Sequence, residues 1–149
     1  MAVENKYTDA NIVAGKKAAA YTTGPSGDQF TLVGVVTVAA ADDDGSIYRV
    51  FSNVPANAVP VKIEAHNTAI TGGTSYGFGL YKTNTGAVVN ATVLASAIDM
   101  SSARTIATSN NVGMSALTLG ELKTLATLSG ATNPDKAYDI ALTAATVGS

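Results

Sequence analysis

The sequence predicts an all-β fold, a sandwich or a barrel, on three observations. Short β-branched or aromatic runs recur at residues 29–41, 46–52, 59–66, 75–81 and 137–143. Turn residues punctuate them: Asp42-Asp43-Asp44-Gly45, Thr71-Gly72-Gly73-Thr74 and Lys82-Thr83-Asn84-Thr85-Gly86. Large and small side chains alternate within several of the runs, as they do on a pleated strand. Short strands at such spacing belong to sandwiches and barrels. No repeat at solenoid or propeller periods is present. The chain has 149 residues, near the commonest domain size, and buries roughly 70% of its unfolded surface on folding.

The elements are expected in this order. Residues 1–28 are weakly patterned and end in Gly24-Pro25-Ser26-Gly27, so they read as an N-terminal arm without a core face. Residues 29–149 form the β domain. Gln29–Ala41 is a strand with Phe30, Leu32, Val36 and Val38 on one face and Gly34 between them. The Asp-Gly turn at Asp42–Gly45 returns it to Ser46–Ser52 as a hairpin partner. Val59–His66 alternates cleanly, with Val59, Val61, Ile63 and Ala65 turned to one side; Pro60 puts it at an edge or a strand start.

Ser75–Tyr81 is a strand with Tyr76, Phe78 and Leu80 on one face and Ser75, Gly77, Gly79 and Tyr81 on the other. Its glycines invite close approach by another segment. A glycine-containing loop at Lys82–Gly86 leads to a return strand at Ala87–Asn90. Val93–Met100 fits a short helix or a strand equally. Leu117–Gly130 predicts a short helix: Thr118 and Glu121 form a capping box, Leu119, Leu122, Leu125 and Leu128 recur at helical spacing, and Gly130 stops it. Ala137–Thr143 is a last strand with Tyr138, Ile140 and Leu142 on one face.

Composition narrows the function. Charged residues are 13% of the chain, about half the usual share of roughly 25%. The surface is therefore rich in Thr, Ser, Asn, Gly and Ala. Low charge suits flat protein contacts, whose cores are depleted of charge. Net charge is −2, and Lys16-Lys17 is the sole basic cluster, so nucleic-acid binding is not expected. No apolar run is long enough for a membrane span. The N-terminus lacks the basic-then-apolar order of a signal peptide, which predicts a chain made in a bacterial-type cytosol and kept or assembled there. With no cysteine, disulfides and thiol chemistry are excluded.

No residue set carries a recognisable reaction. His66 is the single histidine, read as a solvent-facing strand residue, and no G-x-S-x-G elbow surrounds any serine. The Asp42–Asp44 cluster invites calcium, but Ser46, Ile47 and Asn53 stand where an EF-hand needs a ligand, a glycine and a glutamate; a solvated turn is the better reading. Gly72-Gly73 and Gly77-x-Gly79 match no phosphate loop. Asn90-Ala91-Thr92 matches a glycosylation sequon that a chain without a secretory signal would not present for modification. No catalytic residue, metal or cofactor is expected.

Two segments carry a family likeness: GFGLYKTNTGAVVNATVLASAIDMSSART, Gly77 to Thr105, and YDIALTAATVG, Tyr138 to Gly148. Together they resemble head decoration, or cement, proteins of tailed bacteriophages. The resemblance covers a quarter to a third of the chain. It implies a β-sandwich of jelly-roll type. It also implies a virion protein on the outer capsid surface that binds the major capsid protein and holds neighbouring subunits together, often as an oligomer, with a trimer favoured here. A further apolar strand would be expected after the Tyr138 segment in that family, so the sheet closes differently or the arm supplies an edge. The expected contacts are arm residues Tyr7, Ile12, Lys16, Lys17 and Tyr21, and the small-residue hairpin face of Gly77, Gly79 and Tyr81. The competing reading is a carbohydrate- or receptor-binding module of a phage tail or fibre. It needs exposed aromatics among Tyr76–Tyr81, with Asn84 or Asn90 nearby. A small hydrolase is a third, which the dearth of His, Cys and carboxylate clusters disfavours.

Overall fold

The computed structural model describes residues 5–7, 32–39, 41–104, 111–112 and 123–148, with the backbone alone for 5–7 and 111–112. The fold is all-β. Strands β1 (Asn5–Tyr7), β2 (Ile47–Pro55), β3 (Ile63–Glu64), β4 (Ser75–Lys82), β5 (Val88–Ile98), β6 (Asn111–Val112) and β7 (Ala137–Thr146) are joined by a single described helix, α1 (Leu125–Ser129). Five strands make one sheet in the order β1-β2-β7-β4-β5, and β3 pairs with β6. Every pairing is antiparallel except that of β1 with β2, where Asn5, Lys6 and Tyr7 lie opposite Ile47, Tyr48 and Arg49. Part of the segment read as an arm thus forms an edge of the sheet.

The centre of the sheet is buried on both faces. Tyr76 to Tyr81 of β4 and Tyr138 to Leu142 of β7 are buried without interruption. Register sorts them into two layers. Phe78 lies opposite Leu142, which lies opposite Tyr48, and Leu80 lies opposite Ile140. This apolar layer forms one core with Leu94, Ile98, Met100, Leu125, Leu128 and Val147. Gly79 lies opposite Ala141, which lies opposite Arg49, and Tyr81 lies opposite Asp139. This second layer sets Gly79 and Ala141 beside Arg49, Asp139 and Tyr81, and it is closed.

β5 closes it. Between the pairs Phe78–Ala95 and Leu80–Asn90, β4 advances two residues while β5 uses five. The surplus arches over β4. A Cβ on Gly79 would stand 2.2 Å from the Asn90 carbonyl oxygen, and one on Gly77 would stand 2.9 Å from Thr92 Cγ2. The close approach expected at these glycines therefore comes from the chain's own next strand. The ambiguous Val93–Met100 stretch is strand through Ile98.

Other expectations need correction. Leu32–Ala39 keeps the predicted alternation, with Leu32, Val36 and Val38 packed on the core, but it joins no strand ladder. Gly34 lies against Val50, where a Cβ would be 2.6 Å from Val50 Cγ1, so the segment crosses the side chains of β2 instead of pairing with it. The hairpin expected between residues 29–41 and 46–52 is not formed by the described residues of the first segment, 32–39 and 41, and β7 and β1 occupy the two sides of β2. Of Val59–His66 only Ile63–Glu64 is strand, and Val59 and Val61 are exposed. α1 begins at Leu125: Thr124 is its N-cap, accepting from the Thr127 N–H, and Gly130 ends it at φ 67°. Thr118 and Glu121 lie outside the described residues. The turns at Asp42–Gly45, Thr71–Thr74 and Lys82–Gly86 stand as expected, with Gly45, Gly72 and Gly86 at positive φ.

Candidate functional site

Among the described residues, the buried polar and charged side chains Asp42, Ser46, Arg49 and Asp139 lie inside the fold. Asp42, read as solvated, is buried. Its Oδ2 accepts from the Tyr48 hydroxyl at 2.9 Å and from the Ala39 N–H at 2.9 Å. Asp44 Oδ1 accepts from the Val147 N–H at 2.9 Å, and the Tyr76 hydroxyl donates to the Val147 carbonyl. The acidic turn is thus a clasp for the end of β7. Burial, then the bond to Asp42, pushes the Tyr48 hydroxyl well above the ordinary tyrosine range. Burial, then the charges of Asp42 and Asp44, raises Tyr76. His66 is exposed. Among the described residues no three His, Cys, Asp or Glu side chains are placed to hold a metal ion, and no helix is long and apolar enough to cross a membrane.

The hairpin face expected to meet a partner is turned inward. Gly77 and Gly79 lie under β5, and Tyr81 is 1% exposed with its hydroxyl bonded to Thr143 Oγ1. The cause is the arch of β5, which covers the small-residue layer. Tyr76 and Phe78 are buried as well, so the aromatic platform required for sugar stacking does not exist there. Asn90 Oδ1 accepts from the Thr92 N–H at 3.3 Å within β5. Tyr7 is placed by its backbone in β1, while Ile12, Lys16, Lys17 and Tyr21 lie outside the described residues.

Among the described residues, two surfaces bear on binding. One is the extended segment Leu32–Ala39. Val33 is 86% and Val35 76% exposed, Thr37 is exposed beside them, and no charged residue occurs between Gln29 and Ala41. The other is a polar cleft of about 380 Å³ walled by Asn53, the hairpin tip Lys82–Thr85, and residues 135–137.

A buried ion pair ties the cleft walls together. Arg49 Nη1 meets Asp139 Oδ2 at 3.1 Å, with both side chains almost fully buried. Arg49 Nη2 donates to the Gly86 carbonyl at 2.8 Å, fixing the base of the hairpin loop. Asp139 Oδ1 accepts from the Asn53 N–H at 2.9 Å, where β2 kinks through a left-handed residue of φ 55°. The guanidinium lies 5.3 Å from the centre of the Tyr81 ring, within cation–π range. Sequence reasoning missed this pair, whose members are 90 residues apart. A signal was present: Arg49 and Asp139 are the lone charges in SIYRVFS and AYDIALT.

No family model matches the chain, and neither a curated protein nor a solved structure does.

Proposed function

We propose that this chain is a virion structural protein that binds the outer surface of a tailed-phage capsid and fastens neighbouring major capsid subunits. The observation that carries the reading is the uncharged segment Leu32–Ala39, which presents Val33 and Val35 almost fully to solvent. Exposed β-branched residues in an uncharged strand-like segment suit a flat contact with another protein. The resemblance of Gly77–Thr105 and Tyr138–Gly148 to decoration proteins supplies the partner. On this reading the sheet belongs to a jelly-roll sandwich. Residues 1–28 are the arm, and the working unit is a homo-oligomer with a trimer favoured, since several weak contacts through one body raise avidity.

The test is co-sedimentation with expanded capsids lacking the protein. Saturable binding at fixed stoichiometry is expected. Val33→Asp with Val35→Asp, and separately removal of residues 1–28, should each weaken it by about tenfold or more, roughly 1.4 kcal/mol. A folded protein that leaves capsids unbound would remove the proposal.

A further inference from the structure

We propose that the polar cleft between Asn53, the Lys82–Thr85 turn and Lys136 is a binding site for a neutral, hydroxyl-rich ligand, a single pyranose unit of a glycan. The inference is independent of the capsid reading. It replaces the aromatic sugar platform, which burial of Tyr76, Phe78 and Tyr81 excludes.

Three features point to such a ligand. The first is rigidity. The Arg49–Asp139 pair bonds the Gly86 carbonyl, at the base of the turn that makes one wall, and the N–H of Asn53 on the other wall. The walls are set before any ligand arrives, which lowers the entropy lost on binding. A buried ion pair is a poor source of stability, and fixing this geometry gives it a use.

The second is unused hydrogen-bonding capacity. Among the described residues the side chains of Asn53, Asn84 and Lys136 make no hydrogen bond or ion pair. Each amide offers a donor and an acceptor, the pairing that adjacent sugar hydroxyls require. The third is charge. Lys82 Nζ lies 3.8 Å from Asp135 Oδ2, so the two largely offset each other, and Lys136 is the remaining cation of the lining. An anion site would concentrate positive charge; this one mixes amides, hydroxyls and an offset pair. A volume of about 380 Å³ falls near the lower end for small-molecule sites, which suits one ring. With no aromatic in the lining, the dissociation constant should be millimolar.

The test is an amide NMR titration of the full chain with methyl glycosides of glucose, mannose and N-acetylglucosamine, alongside sodium acetate and inorganic phosphate at matched ionic strength. Saturable shifts confined to Asn53, Thr83–Thr85 and Lys136–Ala137 are expected with at least one glycoside. Asn84→Ala, and Asn53→Gly, which keeps the left-handed backbone, should each weaken that binding about fivefold without altering the rest of the spectrum. The absence of saturable shifts with any of the glycosides would overturn the proposal. So would shifts from acetate or phosphate alone, or glycoside binding indifferent to both variants.

Discussion

Arg49 and Asp139 show how a single residue can decide a region. Each is a charge in an otherwise apolar strand, buried where it faces the other. Replacing Arg49 by Ala leaves a buried carboxylate without its cation, which costs about 3–5 kcal/mol. Arg49→Met with Asp139→Leu removes both charges and should recover much of that loss. The check is urea unfolding of the three variants. A single mutant as stable as the wild type would show that the pair is not desolvated as described. The double mutant also separates stability from geometry: the Gly86 and Asn53 bonds are gone from it, so glycoside binding should fall even where the fold is restored.

At the scale of elements, glycines do two different jobs. Gly79 carries ordinary strand backbone, but a Cβ there would sit 2.2 Å from the Asn90 carbonyl and 2.3 Å from the Ala91 carbonyl carbon. The obstacle is backbone and cannot swing aside. Gly130 is the reverse: nothing lies within 4 Å of its absent Cβ, but φ is 67°. Gly79→Ala should therefore cost about 1–3 kcal/mol by overpacking and displace β5. Gly130→Ala should cost about 1 kcal/mol through the left-handed backbone alone. Gly130→Asn should be milder, because Asn tolerates that conformation, whereas Gly79→Asn should be worse than Gly79→Ala. Thermal unfolding of the four variants gives the ranking; equal sensitivity to Ala and Asn at both positions would contradict the two causes. The arch of β5 is also why the hairpin face is internal: an edge strand that curls over its neighbour covers what a flat hairpin would expose.

For the molecule as a whole, pH reports how the acidic turn is closed. Tyr48 and Tyr76 are both raised above the ordinary tyrosine value, first by burial and then by Asp42 and its neighbours. Their folded-state values lie above that of a tyrosine in the unfolded chain. The stability they contribute is therefore fully present below about pH 10 and is lost as pH rises toward the raised values, because the unfolded chain releases its protons first. Denaturant midpoints should fall more steeply above pH 10 in the wild type than in Tyr48→Phe, which starts lower for want of the Asp42 bond. Parallel pH profiles would mean that Tyr48 is not buried against Asp42.

Local features are legible from the residues alone: the β character, the turns at Asp42–Gly45 and Lys82–Gly86, the stop at Gly130, and the inward positions of Leu32, Val36 and Val38. Each follows from side-chain volume, branching or backbone freedom within a few residues. The sequence also bounds the chemistry, since one histidine and no cysteine leave few reactive sets to consider. Long-range packing set the rest: β7 lies between β2 and β4, Asp42 is buried, and Gly77, Gly79 and Tyr81 face inward. It alone joined Arg49 to Asp139 to frame a cleft. Strand neighbours and burial depend on hydrogen-bond partners and covering segments tens of residues away. Alternation says that two faces differ, and it is the segment folded over each face that settles which one meets water.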